Sequence, residues 1–420
     1  MRTKVEKEGE KWELGRRLKQ AREAAGYTQE QAAKLLGISR STLADVEVGR
    51  GRVDTVLLRK LAALYGKSPW ELLGSAPEAA QVRRAAAQVR DTLLNELDKV
   101  GVSFDDRREI LEFWGTLERF ARLRQELELE PETPAVKGLS DLGKAKLIKS
   151  RTPDFVIEAE ADRARHALGL DDAPIGNFEA LRYRLESLGV PVFLWPLDPD
   201  PISGLYVRHP ELGPVVLVNA SQLRWRRVFT LAHEFGHVWL HRHEHVMVGR
   251  IFTGQDSRAI ERQANTFAAE FLMPEEAIKR TIALLGIAEP TPEDVVRLHR
   301  YFGVSYKAML VRLHRLRIIR RDRLEELERV SPVRLAHELG YPWPEDIWKG
   351  PEKPEVPFHE RLPGRYVQAV VRAFEEGRLG EGKAIELLGT DYYSFHNYLK
   401  RTEEAARRQQ RESVPADIGG

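Results

Sequence analysis

Within Phe229-Thr-Leu-Ala-His-Glu-Phe-Gly-His237, two histidines stand four residues apart and a glutamate follows the first directly. On a helix, positions i and i+4 share one face, so His233 and His237 can each aim a ring nitrogen at one metal ion. Glu234 is rotated by one residue. It falls beside the open coordination position, where a general base must sit to take the proton of water activated for attack on a carbonyl. The chemistry implied is zinc-dependent peptide hydrolysis, although two imidazoles and a carboxylate also accept Mn2+.

A third ligand is needed, and two residues compete for the place. His243 lies six positions beyond His237, but the long H-E-x-x-H-x-x-G-x-x-H pattern requires glycine where this chain has Leu240, and Val238-Trp-Leu240 should continue the helix. Glu261 is the preferred ligand. It sits in the helix-patterned run Ala259-Ile-Glu-Arg-Gln-Ala-Asn-Thr-Phe-Ala-Ala-Glu-Phe-Leu272, which an antiparallel helix pair would bring to the imidazoles. Asn265, one turn further, would share that face and partner a ligand histidine. Arg227 and His241 are candidates to face the cleft and steady an oxyanion.

The elements that must carry these residues are mixed. Short β-branched runs, Gly189-Val-Pro-Val-Phe-Leu-Trp195 and Pro214-Val-Val-Leu-Val-Asn219, read as strands. Helices are expected over 224–241 and 257–272, the second stopping at Met273-Pro274, and a further helical segment over 292–328. The fold class expected is α+β and predominantly helical, with a small sheet in the central domain.

The run Arg227-Val-Phe-Thr-Leu-Ala-His-Glu-Phe-Gly-His-Val-Trp-Leu-His241, followed by Glu261-Arg-Gln-Ala-Asn-Thr-Phe-Ala-Ala-Glu-Phe-Leu-Met-Pro274, resembles the ImmA/IrrE family of bacterial zinc metallopeptidases. The resemblance spans about 155–320, with Ile202-Ser-Gly-Leu-Tyr206 and Val218-Asn219 ahead of the motif. It implies a zincin-like domain with His233, His237 and Glu261 as metal ligands and Glu234 as catalytic base. It also implies cleavage of a transcriptional repressor in a DNA-damage or mobile-element response. No motif position is lost.

The N-terminal end is different in character. Lys and Arg outnumber Asp and Glu over residues 1–70, although the whole chain carries only +2 from 66 basic and 64 acidic residues. Five short helices are expected (13–24, 28–36, 39–48, 54–64 and 68–73), with Leu18, Ala32, Leu35, Ile38, Leu43 and Val46 as a small core. Thr28-Gln-Glu-Gln-Ala-Ala-Lys-Leu-Leu-Gly-Ile-Ser-Arg-Ser-Thr-Leu-Ala-Asp-Val-Glu-Val-Gly-Arg50 is similar to the Xre/Cro-type helix-turn-helix family. The resemblance implies double-stranded DNA as partner and a homodimer on two half-sites. Arg40, Ser41 and Thr42 would face base edges, with Gln29, Arg50 and Arg52 on phosphates. Asp45 and Glu47 should make that face less basic than ideal.

The chain has 420 residues, enough at roughly 100–200 residues per domain for two to four cores. The organisation expected is a helix-turn-helix domain at 1–75, a helical linker at 76–137 and a metallopeptidase domain at 138–330. A Pro-rich linker at 331–363, a C-terminal helical domain at 364–405 and a disordered tail at 406–420 follow. With no cysteine there is no disulfide framework, thiolate zinc site or cysteine nucleophile. No stretch approaches the roughly 20 apolar residues of a membrane helix, and the expected location is the cytoplasm. Leu36-Gly-Ile-Ser39, Phe302-Gly-Val-Ser305 and Leu388-Gly-Thr-Asp391 each join two helix-patterned segments through a glycine and a capping residue. Residues 297–323 hold nine basic residues against Asp322, interspersed with Tyr301, Phe302 and Tyr306, a pattern that makes single-stranded DNA a candidate activator. The function expected is a DNA-binding regulatory zinc endopeptidase acting on a repressor or toxin–antitoxin partner. The alternative is a non-proteolytic regulator or antitoxin whose metal domain senses a ligand.

Overall fold

The computed structural model describes residues 4–65, 72, 76–126, 151–171, 173–198, 202–241, 246–248, 255–342 and 353–412. Two compact units divide the chain, Met1–Gln88 and Val89–Gly420.

The first unit is helical: α1 (Lys4–Ala24), α2 (Gln29–Leu36), α3 (Arg40–Glu47) and α4 (Thr55–Tyr65). Its central corner is written in the sequence. Thr28 and Gln31 close a capping box at the start of α2, Gly37 ends it with φ +70, and Ser39 accepts from the N–H of Thr42 to start α3. Leu18, Ala32, Leu43 and Val46 are buried as expected, but Leu35 is 63% exposed. The inward face of α2 is Ala32, Ala33 and Leu36, and a residue beside Leu36 is rotated by about 100° away from it. The first helix begins nine residues before the expected Glu13, and most of the fifth expected helix, 68–73, lies outside the described residues. Helix α5 (Ala76–Val100) starts in the first unit and ends in the second.

The second unit is built on a four-stranded sheet, order β1-β3-β2-β4, of β1 (Val192–Trp195), β2 (Gly204–His209), β3 (Gly213–Asn219) and β4 (Val246–Val248). Strand β1 runs parallel to β3 with Val192 opposite Val216, and β2 is antiparallel to both β3 and β4. All four residues of β1 are buried, as its unbroken apolar run requires when both faces of a sheet are covered. One cover is α6 (Phe104–Glu126), whose Phe113 meets Phe193 and Trp195 at ring distances of 5.1 and 5.7 Å. This stretch, expected as linker, is thus part of the packed unit. The acidic stretch that follows it, 127–137, lies outside the described residues.

On the other face, Leu194, Tyr206, Val216 and Val218 join the main core. There α7 (Asp154–Ala167), α8 (Phe178–Ser187), α9 (Arg224–Leu240) and α10 (Gln255–Leu272) pack, with α9 lying across β2 and β3 and against α10. Phe235 of α9 sits 5.9 Å from Phe267 and 5.5 Å from Phe271 of α10, and those two rings stack 5.6 Å apart. Each ring so buried contributes about 1.5–3 kcal/mol by removal from water.

The helical segment expected at 292–328 resolves into α12 (Pro292–Tyr301), α13 (Tyr306–Arg315) and α14 (Arg321–Leu327), preceded by α11 (Glu275–Leu284). The stretch read as a Pro-rich linker contributes α15 (Pro332–Glu338), packed on α12, and α16 (Phe358–Arg361), packed on β1. The C-terminal helices α17 (Gly364–Glu375), α18 (Glu381–Leu388) and α19 (Tyr392–Glu412) follow. They are fastened at Glu186, whose Oε2 accepts from the N–H of Gly364 at 2.9 Å, and at Arg182, which donates to the carbonyls of Glu360 and Leu362. Helix α19 runs to Glu412, beyond the expected end at 405, with Glu403 and Arg407 paired one turn apart along it. The three helix corners share one device: Gly37, Gly303 and Gly389 have φ of +70, +68 and +57, and a polar N-cap follows each by two residues. Among the described residues no helix is long and apolar enough to cross a membrane.

Candidate metal centre and DNA-facing helix

Helix α9 is apolar over its buried length, and it delivers His233, Glu234 and His237 to one spot beneath the sheet. Helix α10 packs against it and brings Glu261 across. Nε2 of His233 and Nε2 of His237 are 3.1 Å apart, and the two Glu261 oxygens lie 3.2 Å from them, one on each ring. Among the described residues these three form the group of side chains able to hold a metal ion. Residue 243, the rival ligand, lies outside the described residues.

Each histidine is fixed from behind. Nδ1 of His233 is 3.1 Å from Oδ1 of Asn265, the partner expected from its position one turn past Glu261. Nδ1 of His237 is 3.1 Å from Nδ1 of His241, and Nε2 of His241 is 3.0 Å from Oε1 of Gln263. The tautomers follow. Gln263 Oε1 can only accept, so His241 carries its hydrogen on Nε2 and its bare Nδ1 accepts the Nδ1 hydrogen of His237, which leaves His237 Nε2 with a lone pair facing the centre. Burial, reinforced by His237, pushes the His241 imidazole down to about 3, so it stays neutral and able to accept. His237 is likewise lowered by burial.

Burial alone would raise the Glu261 carboxyl, but its interaction with the His233 and His237 rings, 3.2 Å away, outweighs it and brings it down to about 2. Glu234 goes the other way: burial, with the charge of Glu261 added, raises it well above the usual carboxylate range. Its Oε2 is buried without a hydrogen-bond partner, as is Oε1 of Glu261. Such orphaned oxygens cost free energy unless a group other than the protein's own atoms meets them. Two lone-pair nitrogens, a charged carboxylate and a second carboxylate beside them fit a catalytic zinc set of two imidazoles and one carboxylate with a base next to it. A close approach makes room for Glu234: a Cβ on Gly204 of β2 would lie 3.0 Å from its Oε1 and 2.7 Å from Cγ2 of Thr230.

Two cleft expectations are corrected. Arg227 donates to the carbonyls of Gln222 and Ala220, and His241 is buried behind His237, so neither is placed to steady an oxyanion. His241 serves the ligand instead. Gln263 and Gly204 were not among the expected site residues. The glycine stood inside the Ile202–Tyr206 signature, whereas no spacing rule marks a glutamine 22 positions after a histidine.

In the first unit, Ser39 begins α3 and leaves Arg40, Ser41 and Thr42 exposed on its first turn, with Arg50 and Arg52 exposed beyond its end. Arg50 lies 3.6 Å from Asp45. Glu47 does not dilute this basic face. It is buried, with Oε1 2.6 Å from Nε of Arg22, and it accepts from Nε2 of Gln29 at 2.8 Å. One amide hydrogen of Gln29 is thereby committed inside the fold.

The stacking surface expected over 297–323 does not form. Phe302 and Tyr306 are core residues, Arg312 is buried against Glu270, and only Tyr301 of the three aromatics is exposed.

Residues 185–314 match the family described as IrrE N-terminal-like domain, a peptidase family, and residues 13–72 match a helix-turn-helix domain family. A curated relative, the HTH-type transcriptional regulator ImmR of Bacillus subtilis (strain 168), is 48% identical over 61 residues, which are 14% of this chain and 48% of that protein. The chain thus spans about half the length of the curated relative it matches. A solved structure of a Mycobacterium tuberculosis transcriptional regulator is similar at 21% identity over 38% of this chain and 46% of that one, with a TM-score of 0.28.

Proposed function

We propose that this chain, in which an IrrE N-terminal-like peptidase domain follows an N-terminal helix-turn-helix domain, is a DNA-binding regulator that hydrolyses a protein target, a transcriptional repressor or a toxin–antitoxin partner. One observation carries the reading: Glu234, buried and without a hydrogen-bond partner for Oε2, stands beside the convergent His233, His237 and Glu261. A merely structural or sensory metal site has no use for a carboxylate there.

His233, His237 and Glu261 would hold zinc, with Mn2+ as the competing occupant. Bound there, the ion supplies a Lewis acid that acidifies water and polarises a carbonyl. Glu234 takes the proton as water attacks the scissile carbonyl and returns it to the leaving amine. Burial favours this role, because a carboxylate whose pKa is raised is a stronger base. Asn265 and the His241–Gln263 pair hold both imidazoles in the ligating tautomer. At the other end of the chain, Arg40, Ser41 and Thr42 read base edges from the first turn of α3, and Gln29, Arg50 and Arg52 contact phosphate, with two chains on paired half-sites in the cytoplasm.

The test is elemental analysis of wild type, His237→Ala and Glu234→Gln, with each protein incubated against the host's small helix-turn-helix repressors with and without single-stranded DNA. Near one zinc per chain in wild type and Glu234→Gln but not in His237→Ala, with a discrete cleavage product from wild type alone, is the expected result. Metal binding with regulation that survives Glu234→Gln would favour the non-proteolytic regulator.

A further inference from the structure

A groove of about 1180 Å3 opens at the metal centre, between α9, α10 and α13. Glu261 and Asn265 form one part of its wall. The rest is strongly cationic: Arg226, Arg258, Arg262, Lys307, Arg312 and Arg315 line it, and Glu261 is the single carboxylate among the lining residues. If Glu261 is taken by a metal ion, the groove has no anion of its own left among the described residues.

These cations are not equally available. Arg312 is buried against Glu270, and Arg262 and Arg315 both reach Asp154 outside the groove. Arg226 and Arg258 are exposed and have no carboxylate partner among the described residues, and Lys307 has only Glu328 at 4.0 Å. Between them runs an apolar floor of Phe229, Ala269, Met273, Ala308 and Val311. Charge with no carboxylate partner among the described residues, interleaved with apolar surface, calls for a ligand of opposite charge that also carries apolar side chains.

We infer that this groove, on the hydrolytic reading of the centre, is the docking site for an acidic-apolar segment of the protein substrate, with Arg226 and Arg258 receiving its carboxylates. A nucleic-acid strand is the poorer occupant. Strand binding needs a series of exposed rings for the bases, and the groove offers Trp225, 44% exposed, and the half-buried Phe229, with the rest of the floor aliphatic.

The experiment is fluorescence polarisation of the full chain, as the Glu234→Gln protein, at low salt. Three labelled probes are compared: a decapeptide alternating leucine and glutamate, its leucine–lysine counterpart, and a twelve-nucleotide oligothymidylate. The acidic peptide is expected to bind at least about ten-fold more tightly than the basic one, and to weaken by a similar factor with rising salt. The double substitution Arg226→Glu and Arg258→Glu should weaken it at least ten-fold while metal content and the melting curve stay unchanged. Arg226→Lys with Arg258→Lys should keep most of the binding.

Equal affinity for both peptides, or acidic-peptide binding untouched by the charge reversal, overturns the inference. So does tighter oligothymidylate binding that the reversal abolishes, since that makes the groove a nucleic-acid site. Because the readout is binding, a failed cleavage assay with acidic-peptide binding intact would discard the peptidase reading and leave the groove standing.

Discussion

Nδ1 of His237 lies 3.1 Å from Nδ1 of His241, so a candidate metal ligand is held by another histidine one helical turn away. Two imidazole nitrogens can share one hydrogen only if the second ring's tautomer is fixed, and Oε1 of Gln263 fixes it. Gln263→Leu should therefore leave the fold intact and weaken zinc binding about 10–100-fold, the range for lost partners of ligating histidines. Competition with a chromophoric chelator measures it. Unchanged affinity in a folded variant would mean that His237 needs no backing.

The glycine at 204 decides where Glu234 can lie. A Cβ there would meet Thr230 Cγ2 at 2.7 Å and both Glu234 Oε1 and the carbonyl of Leu217 at 3.0 Å. Gly204→Ala is expected to retain metal and lose about 100-fold in hydrolysis, since displacement of a reacting group by about 1 Å costs that much. Wild-type activity in this variant would show that the base tolerates movement.

In the first unit, burial separates two charged residues that look alike in sequence. Glu47 is buried against Arg22, and removing one partner of a buried ion pair leaves the other uncompensated, at about 3–5 kcal/mol. Glu47→Ala should thus unfold the helix-turn-helix domain at lower urea and lose DNA binding with it. Arg40→Ala, at an exposed position, should shift stability by no more than about 0.5 kcal/mol and still weaken DNA binding. Urea titrations beside DNA titrations of both variants separate the cases, and equal destabilisation would contradict the burial difference.

His209 gives the second unit a pH dependence. Its Nδ1 accepts from the N–H groups of Glu211 and Leu212 at 3.2 and 3.3 Å, and burial lowers its pKa, with Glu118 pulling the other way. The unfolded chain, with histidine near about 6.5, therefore takes the proton first as pH falls. The stability contributed is complete above that value and is lost on acidification below it, at up to about 1.4 kcal/mol per pH unit for this one site. His209→Gln, which keeps an acceptor, should show a shallower loss between pH 6.5 and 5 in urea unfolding. Identical slopes would remove His209 from the account.

Much of the candidate site is legible because it obeys a local rule. His233 and His237 share a face by the helical period, and Glu261 falls on the next helix, at the distance an antiparallel pair spans. The capping box at Thr28 and the glycine at 37 likewise announce their corner. What stays hidden depends on contacts that no period encodes. Leu35 and Leu36 are chemically identical, and the fold chooses between them by rotation. Phe302 and Tyr306 read as a surface interspersed with basic residues until packing turns them inward around Gly303. Arg227 and His241 look equally suited to a cleft, and each is spent on a neighbour instead.

The brace of Phe235, Phe267 and Phe271 clamps the two helices that carry the ligands. Its rings hold α9 against α10, so the approach of His233 and His237 to Glu261 rests on hydrocarbon packing. Such a receptor fills like any preformed site. An ion arriving there finds no folding transition to drive, and occupancy tracks free zinc smoothly, adding stability that grows only with the logarithm of its concentration. On the proposed function, zinc supply would act on this protein as a dimmer, leaving on–off control to whatever occupies the groove and α3.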